Sequence, residues 1–259
     1  MSNLSYMQKA TDRGQLQIHV TTERGFFPIK DASIRLSYTG NPTEIIEELS
    51  TDISGQTAAV ELPAPPLEYS MEPSEFQPYS EYTIQVNASG YRPINISGIS
   101  VLPDKTSIQN VRMETATVEN PLERNIVITA NTLYGNFPPK IPEDEIKPIT
   151  ESGEIVLSRV VIPEYVIVHD GPPSDSSAND YYVRYRDYIK NVASSEIYAT
   201  WPDAALRANI LAIMSFTLNR VYTEWYRNKG YDFTITSSTA FDHKFVYGRN
   251  IFSNISNIV

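Results

Sequence analysis

The spacing of apolar residues changes its period near the middle of the chain, and this change limits the folds open to it. In the first half, apolar and polar residues alternate over residues 15–21, 32–38 and 82–86, a pattern typical of strands with one buried face. After residue 187, apolar residues recur three and four positions apart, as in amphipathic helices. The sequence therefore predicts an α+β protein whose strands come first and whose helices come second.

Length and proline placement divide the chain further. The 259 residues suffice for two domains, since a domain usually takes roughly 100–200 residues. We expect a tail at 1–13, a β-sandwich at 14–113, a Pro-rich connector at 114–163 and a partial, mixed helix and strand domain at 164–259. The turn Thr51-Asp-Ile-Ser-Gly and the strand Gln85-Val-Asn-Ala-Ser-Gly-Tyr resemble motifs of the transthyretin-like sandwich.

Composition excludes several classes of function. A net charge of −10 argues against nucleic acid and anionic membranes, which are bound through clustered Lys and Arg. The chain contains no cysteine, which rules out disulfides and thiolate chemistry. No apolar run approaches the ~20 residues of a membrane helix, and we expect neither a membrane span nor an ordinary signal peptide. We predict no cofactor, and a glycan fits better as a partner.

Two helices are predicted in the second half. The shorter begins near Asp187, whose carboxyl group we expect to cap it. The longer begins at Thr200-Trp-Pro-Asp, with Thr200 as the cap, and its apolar positions continue to Trp225 before a stop at Lys229-Gly230.

The shorter helix carries a candidate catalytic group. Ile189, Val192 and Glu196 are spaced three and four apart and share one face, whereas Lys190 and Asn191 project elsewhere. Burial at the end of an apolar stripe raises a carboxyl pKa, as a glycosidic general acid requires. A solvated or ion-paired glutamate explains the same spacing, and spacing alone favours that second interpretation.

The sequence around Glu196 resembles a known family. Asp187-Tyr-Ile-Lys-Asn-Val-Ala-Ser-Ser-Glu-Ile, then Trp201-Pro-Asp-Ala-Ala-Leu-Arg-Ala and Val246-Tyr-Gly, resemble the signature of the stage II sporulation protein D family. The resemblance implies a lytic transglycosylase that cleaves the β-1,4 bond between N-acetylmuramic acid and N-acetylglucosamine in peptidoglycan glycan strands, leaving 1,6-anhydro ends. Glu196 matches the family's catalytic glutamate.

A narrower resemblance concerns regulation. Pro163-Glu-Tyr-Val-Ile-Val-His and Leu218-Asn-Arg-Val-Tyr-Thr-Glu-Trp-Tyr-Arg are similar to the spore cortex-lytic enzymes of clostridia, which are zymogens. This implies that the sandwich is a pro-region and that an activating protease cuts near Glu154, Ile155 and Val156 during germination. It also implies a location in the spore cortex, coat or cell wall, and a catalytic domain that continues past Val259, so that residues 1–259 alone would be weakly active or inactive.

Further site residues are predicted around Glu196. Tyr198, Trp201 and Tyr247 are candidates for stacking on sugar rings, although aromatic residues at helical spacing are more often core residues. His243 stands where many family members have a His-Cys pair associated with zinc. Because Lys244 replaces the cysteine, we predict a structural or substrate-contacting role for His243, which we place among the substrate-binding candidates, and no metal site.

A different class of function remains open. In this alternative the chain is a non-catalytic cell-wall or spore-coat module, in which the sandwich binds a partner and the helical region is a degenerate enzyme. The retained glutamate and its flanking motif speak against this alternative.

Overall fold

The computed structural model describes residues 12–117, 122–141 and 161–259. The first half contains eight strands and one short helix in the described residues: β1 (Asp12–Thr22), β2 (Ser33–Tyr38), β3 (Asn41–Ser50), β4 (Val60–Ala64), α1 (Glu68–Met71), β5 (Ser80–Asn87), β6 (Ile94–Val101), β7 (Thr106–Met113) and β8 (Arg124–Val127). The described part of the second half has β9 (Tyr165–His169), β10 (Asp180–Arg184), α2 (Tyr185–Glu196), α3 (Asp203–Tyr222), a 3-10 turn (Arg227–Lys229), β11 (Ile235–Thr236), β12 (Ile251–Phe252) and α4 (Ser253–Ile258).

The strands of the first half form two facing sheets. One has the order β12-β7-β1-β4 and the other the order β3-β2-β5-β6-β8. Their inner faces share one core of aliphatic side chains, which includes Ile18, Leu36, Ile84 and Val111. Residues on β1 and β2 alternate between buried and more exposed positions, so the period-two pattern placed the strands correctly. The β-sandwich predicted from the sequence is confirmed.

Two strands join the sandwich to later parts of the chain. β8 lies in the stretch that we predicted to be a connector, and it pairs in parallel with β6. β12 comes from the second half, and it pairs antiparallel with β7 through Ile251 and Phe252. The four-stranded sheet therefore takes strands from both halves of the chain.

The second half is a small mixed unit. Its sheet has the order β10-β9-β11, and α2 and α3 pack beside it around Val168, Tyr188 and Leu206. Two sandwich residues, Tyr79 and Leu102, belong to the same core cluster. The predicted fold class, a β-sandwich followed by a mixed helix and strand region, agrees with this architecture.

The helix ends differ from the predictions. α2 starts at Tyr185 without a side-chain cap, so Asp187 lies in its first turn and the predicted cap is wrong. α3 starts at Asp203 after Pro202, whose carbonyl oxygen accepts from the amides of Ala205 and Leu206. The prediction of Thr200 as the cap is therefore also wrong.

The C-terminal end of α3 also differs. The helix stops at Tyr222, and Glu224 has a φ of 46°, which breaks the helical path before Trp225. The cause is a turn in which the Trp225 ring folds back to within 4.4 Å of the Arg220 guanidinium. The stop signal at Gly230, with a φ of 87°, terminates the separate 3-10 turn instead.

A helix that crosses a bilayer must be both long and apolar. Among the described residues, no helix combines the required length with the required hydropathy.

Candidate active site

Glu196 is the last residue of α2, and its surroundings are mostly apolar. Ile189 and Val192 are fully buried on the face that leads to it, as the spacing predicted, and Glu196 itself is partly buried. α2 is buried on other faces too, because Asn191 and Ser195 are also enclosed. The carboxyl group therefore sits at the rim of the core.

A segment from the far end of the chain crosses Glu196. We call residues 242–246 the crossing segment. The Lys244 amide donates to Glu196 Oε1 at 2.7 Å. Two residues further on, the Val246 amide donates to Asn191 Oδ1 at 3.0 Å, and Asn191 Nδ2 donates to the Val246 carbonyl oxygen at 2.8 Å. The side chain of Asn191 thus pairs with the crossing segment as a neighbouring strand would.

The other end of the crossing segment is held by a buried carboxylate. Asp242 accepts from Arg220 Nε at 2.8 Å, from the Tyr226 hydroxyl at 2.5 Å and from the Thr236 amide and hydroxyl at 2.9 and 2.6 Å. The side chains of Arg220 and Asp242 are only 2% and 0% exposed. A buried charge is tolerated only when it is paired and hydrogen-bonded, and both requirements are met here.

Burial dominates the electrostatics around Glu196. It raises the pKa of the Glu196 carboxyl, while the Lys244 amide and the Lys140 ammonium oppose the rise. Burial also lowers the pKa of His243 to about 4, so this imidazole is neutral at neutral pH. Lys140 Nζ donates to the Asp242 carbonyl oxygen at 2.7 Å, which places a cation beside the crossing segment.

Two clefts adjoin this region. The smaller, of about 390 Å³, is lined by residues 244–247 together with β8, Asp170 and Ser237. The larger, of about 730 Å³, lies between the sandwich and the second half. Tyr247 lines both, whereas Glu196 lines neither. The backbone of Lys244 connects Glu196 to the smaller cleft.

An aromatic cluster stands where the two clefts meet. The rings of Tyr181 and Tyr247 stack with centroids 4.6 Å apart, and Arg124 Nη2 of β8 donates to the Tyr247 hydroxyl at 2.7 Å. Gly248, the next residue, has a φ of 80°, and a Cβ there would come within 2.8 Å of the Ile126 side chain. The glycine of the Val246-Tyr-Gly motif is thus explained by its close contact with β8.

The remaining predicted residues fall into different surroundings. His243 is nearly buried, and its ring lies 4.6 Å from that of Phe216. Tyr198 packs edge-on against Trp201 in the core, and Trp201 Nε1 donates to the Ser70 carbonyl oxygen of the sandwich half. The structure thus brings His243 and Tyr247 to the Glu196 region, but it directs Trp201 towards α1. Their roles in substrate binding stay predictions.

Other predictions concern residues outside the described ranges. Glu154, Ile155 and Val156, the predicted cleavage region, do not lie in those ranges. Within them, no three or more His, Asp or Glu residues come together as metal ligands would.

The sequence analysis missed several residues that build this site. Asn191, Arg220 and Asp242 were not singled out, although all three are buried. An amide or a charge inside an otherwise apolar helix or loop is the signal that could have drawn attention to them. Arg220 and Asp242 lie 22 positions apart and Asn191 and Val246 lie 55 apart, so these two pairings leave no local pattern.

Known structures resemble only part of the chain. The TIE protein of Bacillus anthracis is 17% identical over 40% of this chain and 17% of its own length, with a TM-score of 0.28. The minor pilin GBS52 of Streptococcus agalactiae is 15% identical over 41% of this chain and 46% of its own length, with a TM-score of 0.29. The 5-hydroxyisourate hydrolase of Klebsiella pneumoniae is 16% identical over 39% of this chain and 86% of its own length, with a TM-score of 0.25. The chain thus spans less than half the length of the first two of these proteins. TM-scores this low support no inference about function.

Comparison with curated proteins finds no match to this chain. Comparison with family models finds a match, and the matched stretch contains β10, α2, α3 and the crossing segment. Residues 178–252, less than a third of the chain, match the family model of the stage II sporulation protein, SpoIID, so this stretch is similar to a SpoIID domain.

Proposed function

We propose that the protein is a peptidoglycan lytic transglycosylase with Glu196 as its catalytic acid and base. It cleaves the β-1,4 bond between N-acetylmuramic acid and N-acetylglucosamine in the spore cortex or cell wall. The observation that carries the proposal is the partly buried carboxyl group of Glu196, which accepts from the backbone N–H of Lys244. The SpoIID match at residues 178–252 supports a cell-wall substrate.

The site suits a reaction that uses one carboxyl group twice. Because burial raises the pKa of Glu196, its protonated form is available to donate to the glycosidic oxygen as the bond to C1 breaks. The Lys244 amide then stabilises the carboxylate that forms. The C6 hydroxyl of the muramic acid attacks C1, closes the 1,6-anhydro ring and returns its proton to Glu196. No water is consumed.

Asp242 is not suited to be the second carboxylate of an ordinary two-carboxylate glycosidase. Such enzymes need a second carboxylate that is free to act as a nucleophile or a base. Asp242, the acidic residue on the crossing segment, is fully occupied by Arg220, Tyr226 and Thr236. A single-carboxyl mechanism needs no further group.

Product analysis of Glu196→Gln tests the proposal. The full-length protein, before and after limited proteolysis, is incubated with purified cortex peptidoglycan, and mass spectrometry separates anhydro ends from reducing ends, which are heavier by one water. We expect the wild type to give anhydro ends and Glu196→Gln to give none, because glutamine keeps the shape and the acceptor for Lys244 but cannot donate and retake the proton. Glu164→Gln, which changes an exposed glutamate of the same half, serves as the control and stays active. Reducing ends from the wild type, or turnover by Glu196→Gln, would refute the mechanism.

We also propose that the sandwich is a pro-region and that the enzyme is activated during germination by a protease cutting near residues 154–156. The Pro-rich composition of 137–148 supports accessible backbone close to that stretch. Limited proteolysis with N-terminal sequencing tests this, and a first cut far from residues 140–162 contradicts it.

A non-catalytic glycan-binding module is the second candidate. The observation in its favour is that both clefts lie beside Tyr247, whereas Glu196 lines neither. Under this alternative, the full-length protein retains glycan strands in a pull-down assay and releases no product. Release of anhydro ends decides against it.

A further inference from the structure

Asn191 stands out among the buried polar residues of α2 because it contacts backbone far away in sequence. Its side chain is only 7% exposed, and both of its polar atoms bond to one residue, Val246, 55 positions later. An amide that donates to a carbonyl oxygen and accepts from an N–H of the same residue fixes both the position and the orientation of that peptide.

The residue fixed in this way is part of the crossing segment. Lys244, whose amide donates to Glu196 Oε1, lies midway between Asp242 and Val246. Asp242 is anchored by the Arg220 network, and Val246 is anchored by Asn191. The backbone is therefore held on both sides of the N–H that contacts the candidate catalytic carboxyl.

We propose that Asn191 is a positioning residue that fixes Val246 so that the Lys244 N–H stays directed at Glu196. The positioning of the Lys244 N–H by Asn191 does not depend on what the protein does, whereas the effect of Asn191 on catalysis rests on the proposed function. Without Asn191, the buried Val246 amide loses its acceptor and the Val246 carbonyl oxygen keeps only the Arg249 amide as a donor. The segment then shifts to find a new partner for the Val246 amide.

A shift of the crossing segment changes everything that faces Glu196. Among the described residues, Lys140 and the hydroxyl of Tyr188 interact electrostatically with the carboxyl. His243, whose ring contacts the Tyr188 hydroxyl, moves with the segment itself. Misplacement of a catalytic group by about 1 Å costs roughly 100-fold in rate. We therefore expect a defect in the chemical step rather than in substrate binding.

Two variants and a control test this. Asn191→Ala removes both bonds to Val246. Asn191→Asp keeps the shape and the acceptor for the Val246 amide but loses the donor. Asn209→Ala makes the same deletion in α3, where the amide bonds only to the Ala205 carbonyl oxygen of its own helix. All are made in the full-length protein, and thermal melting checks that each one folds.

The first readout does not depend on activity. The Lys244 amide resonance of the wild type should shift as Glu196 titrates, because the N–H donates to the ionising group, and Glu196→Gln identifies that shift by abolishing it. We expect Asn191→Ala to lose the shift and the Lys244 and Val246 amides to exchange faster with solvent. Asn191→Asp should keep a reduced shift, and Asn209→Ala should match the wild type.

The second readout is steady-state kinetics on soluble glycan strands. We expect kcat to fall about 100-fold in Asn191→Ala, with KM changed by no more than about threefold, and a smaller loss in Asn191→Asp. A folded Asn191→Ala with a wild-type Lys244 titration overturns the proposal. Should Asn191→Ala not fold, an unchanged titration and kcat in Asn191→Asp would overturn it equally. A wild type that retains the Lys244 signature but is inactive both before and after limited proteolysis would defeat the proposed function alone.

Discussion

The two halves of the molecule are stabilised in different ways. The sandwich core is almost wholly aliphatic, with side chains such as Leu16, Ile34 and Ile84 fully buried between the sheets. The second half has an apolar core as well, but it also buries Arg220 and Asp242. The first core consists of packed apolar side chains, whereas the second also fixes the position of the crossing segment relative to the Glu196 carboxyl group.

This difference arises from the physics of the two kinds of contact. Burying an aliphatic side chain stabilises by about 1.5–3 kcal/mol and has no direction, so many arrangements of the strands would satisfy it. A buried ion pair gains little net stability because desolvation offsets the attraction, but its geometry is narrowly defined. We infer that the second half keeps its polar core for positioning rather than for stability.

The largest expected effect comes from breaking the polar core. Asp242→Ala leaves the Arg220 guanidinium buried without its carboxylate, and losing one partner of a buried pair costs about 3–5 kcal/mol. In the sandwich, Ile84→Val removes one methylene group and should cost about 0.5–1.5 kcal/mol. Urea unfolding of both variants measures the difference. Equal losses would contradict the distinction between the two cores.

A pH-dependent effect of similar size is expected at His243. Burial, aided by the charges of Lys140 and Arg220 and opposed by Asp242, lowers its pKa from 6.5 to about 4 in the folded state. Between these values the unfolded chain binds a proton that the folded chain does not, so stability is lost as pH falls from about 6.5 towards 4.

The variant His243→Leu isolates this contribution. From pH 7 to pH 4.5, the wild type should lose about 2–3 kcal/mol more than the variant, as measured by urea unfolding at both values. The raised pKa of Glu196 acts in the opposite direction, but it is present in both proteins and largely cancels. Equal losses in the two proteins would mean that folding does not lower the pKa of His243.

The same contrast explains which features the sequence could predict. Period-two alternation located β1, β2 and β5, because apolar and polar residues alternate along a strand that has one buried face. The helical spacing of Ile189, Val192 and Glu196 likewise predicted the face of α2 on which the carboxyl lies. These features depend on residues that are close in sequence.

The rest depended on distant partners. No local pattern indicates that Asn191 pairs with Val246, or that Arg220 pairs with Asp242. The predicted extension of α3 to Trp225 failed for the same reason, because the Trp225 ring packs on Arg220 after a turn at Glu224. Side-chain geometry over such separations is fixed by the tertiary fold alone.

A smaller effect is expected where the halves meet. Asn250 is fully buried, accepts from the Ser100 amide and donates to the Ser100 carbonyl oxygen and the Ser107 hydroxyl. Asn250→Ala removes the acceptor of the Ser100 amide, whereas the Ser107 hydroxyl still donates to the Ser100 carbonyl oxygen, and it should cost about 1–3 kcal/mol. Hydrogen exchange should show faster exchange at the β12–β7 pairing. Protection there equal to that of the wild type would mean that apolar packing of Phe252 suffices to join the halves.

The smallest effect is expected from an ion pair on the same helix as Arg220. Arg207 Nε lies 2.6 Å from Asp203 Oδ2 in the first turns of α3, but their side chains are 60% and 65% exposed, against 2% and 0% for Arg220 and Asp242. Water already solvates both exposed charges, so Arg207→Ala should change the unfolding free energy by no more than about 0.5 kcal/mol. The two Arg–Asp pairs, whose arginines both lie on α3, differ strongly in burial, and urea unfolding compares them directly. If Arg207→Ala lost nearly as much unfolding free energy as Asp242→Ala, burial would not determine how much an ion pair contributes. The buried pair of the second half would then be no more important to stability than a pair on the protein surface.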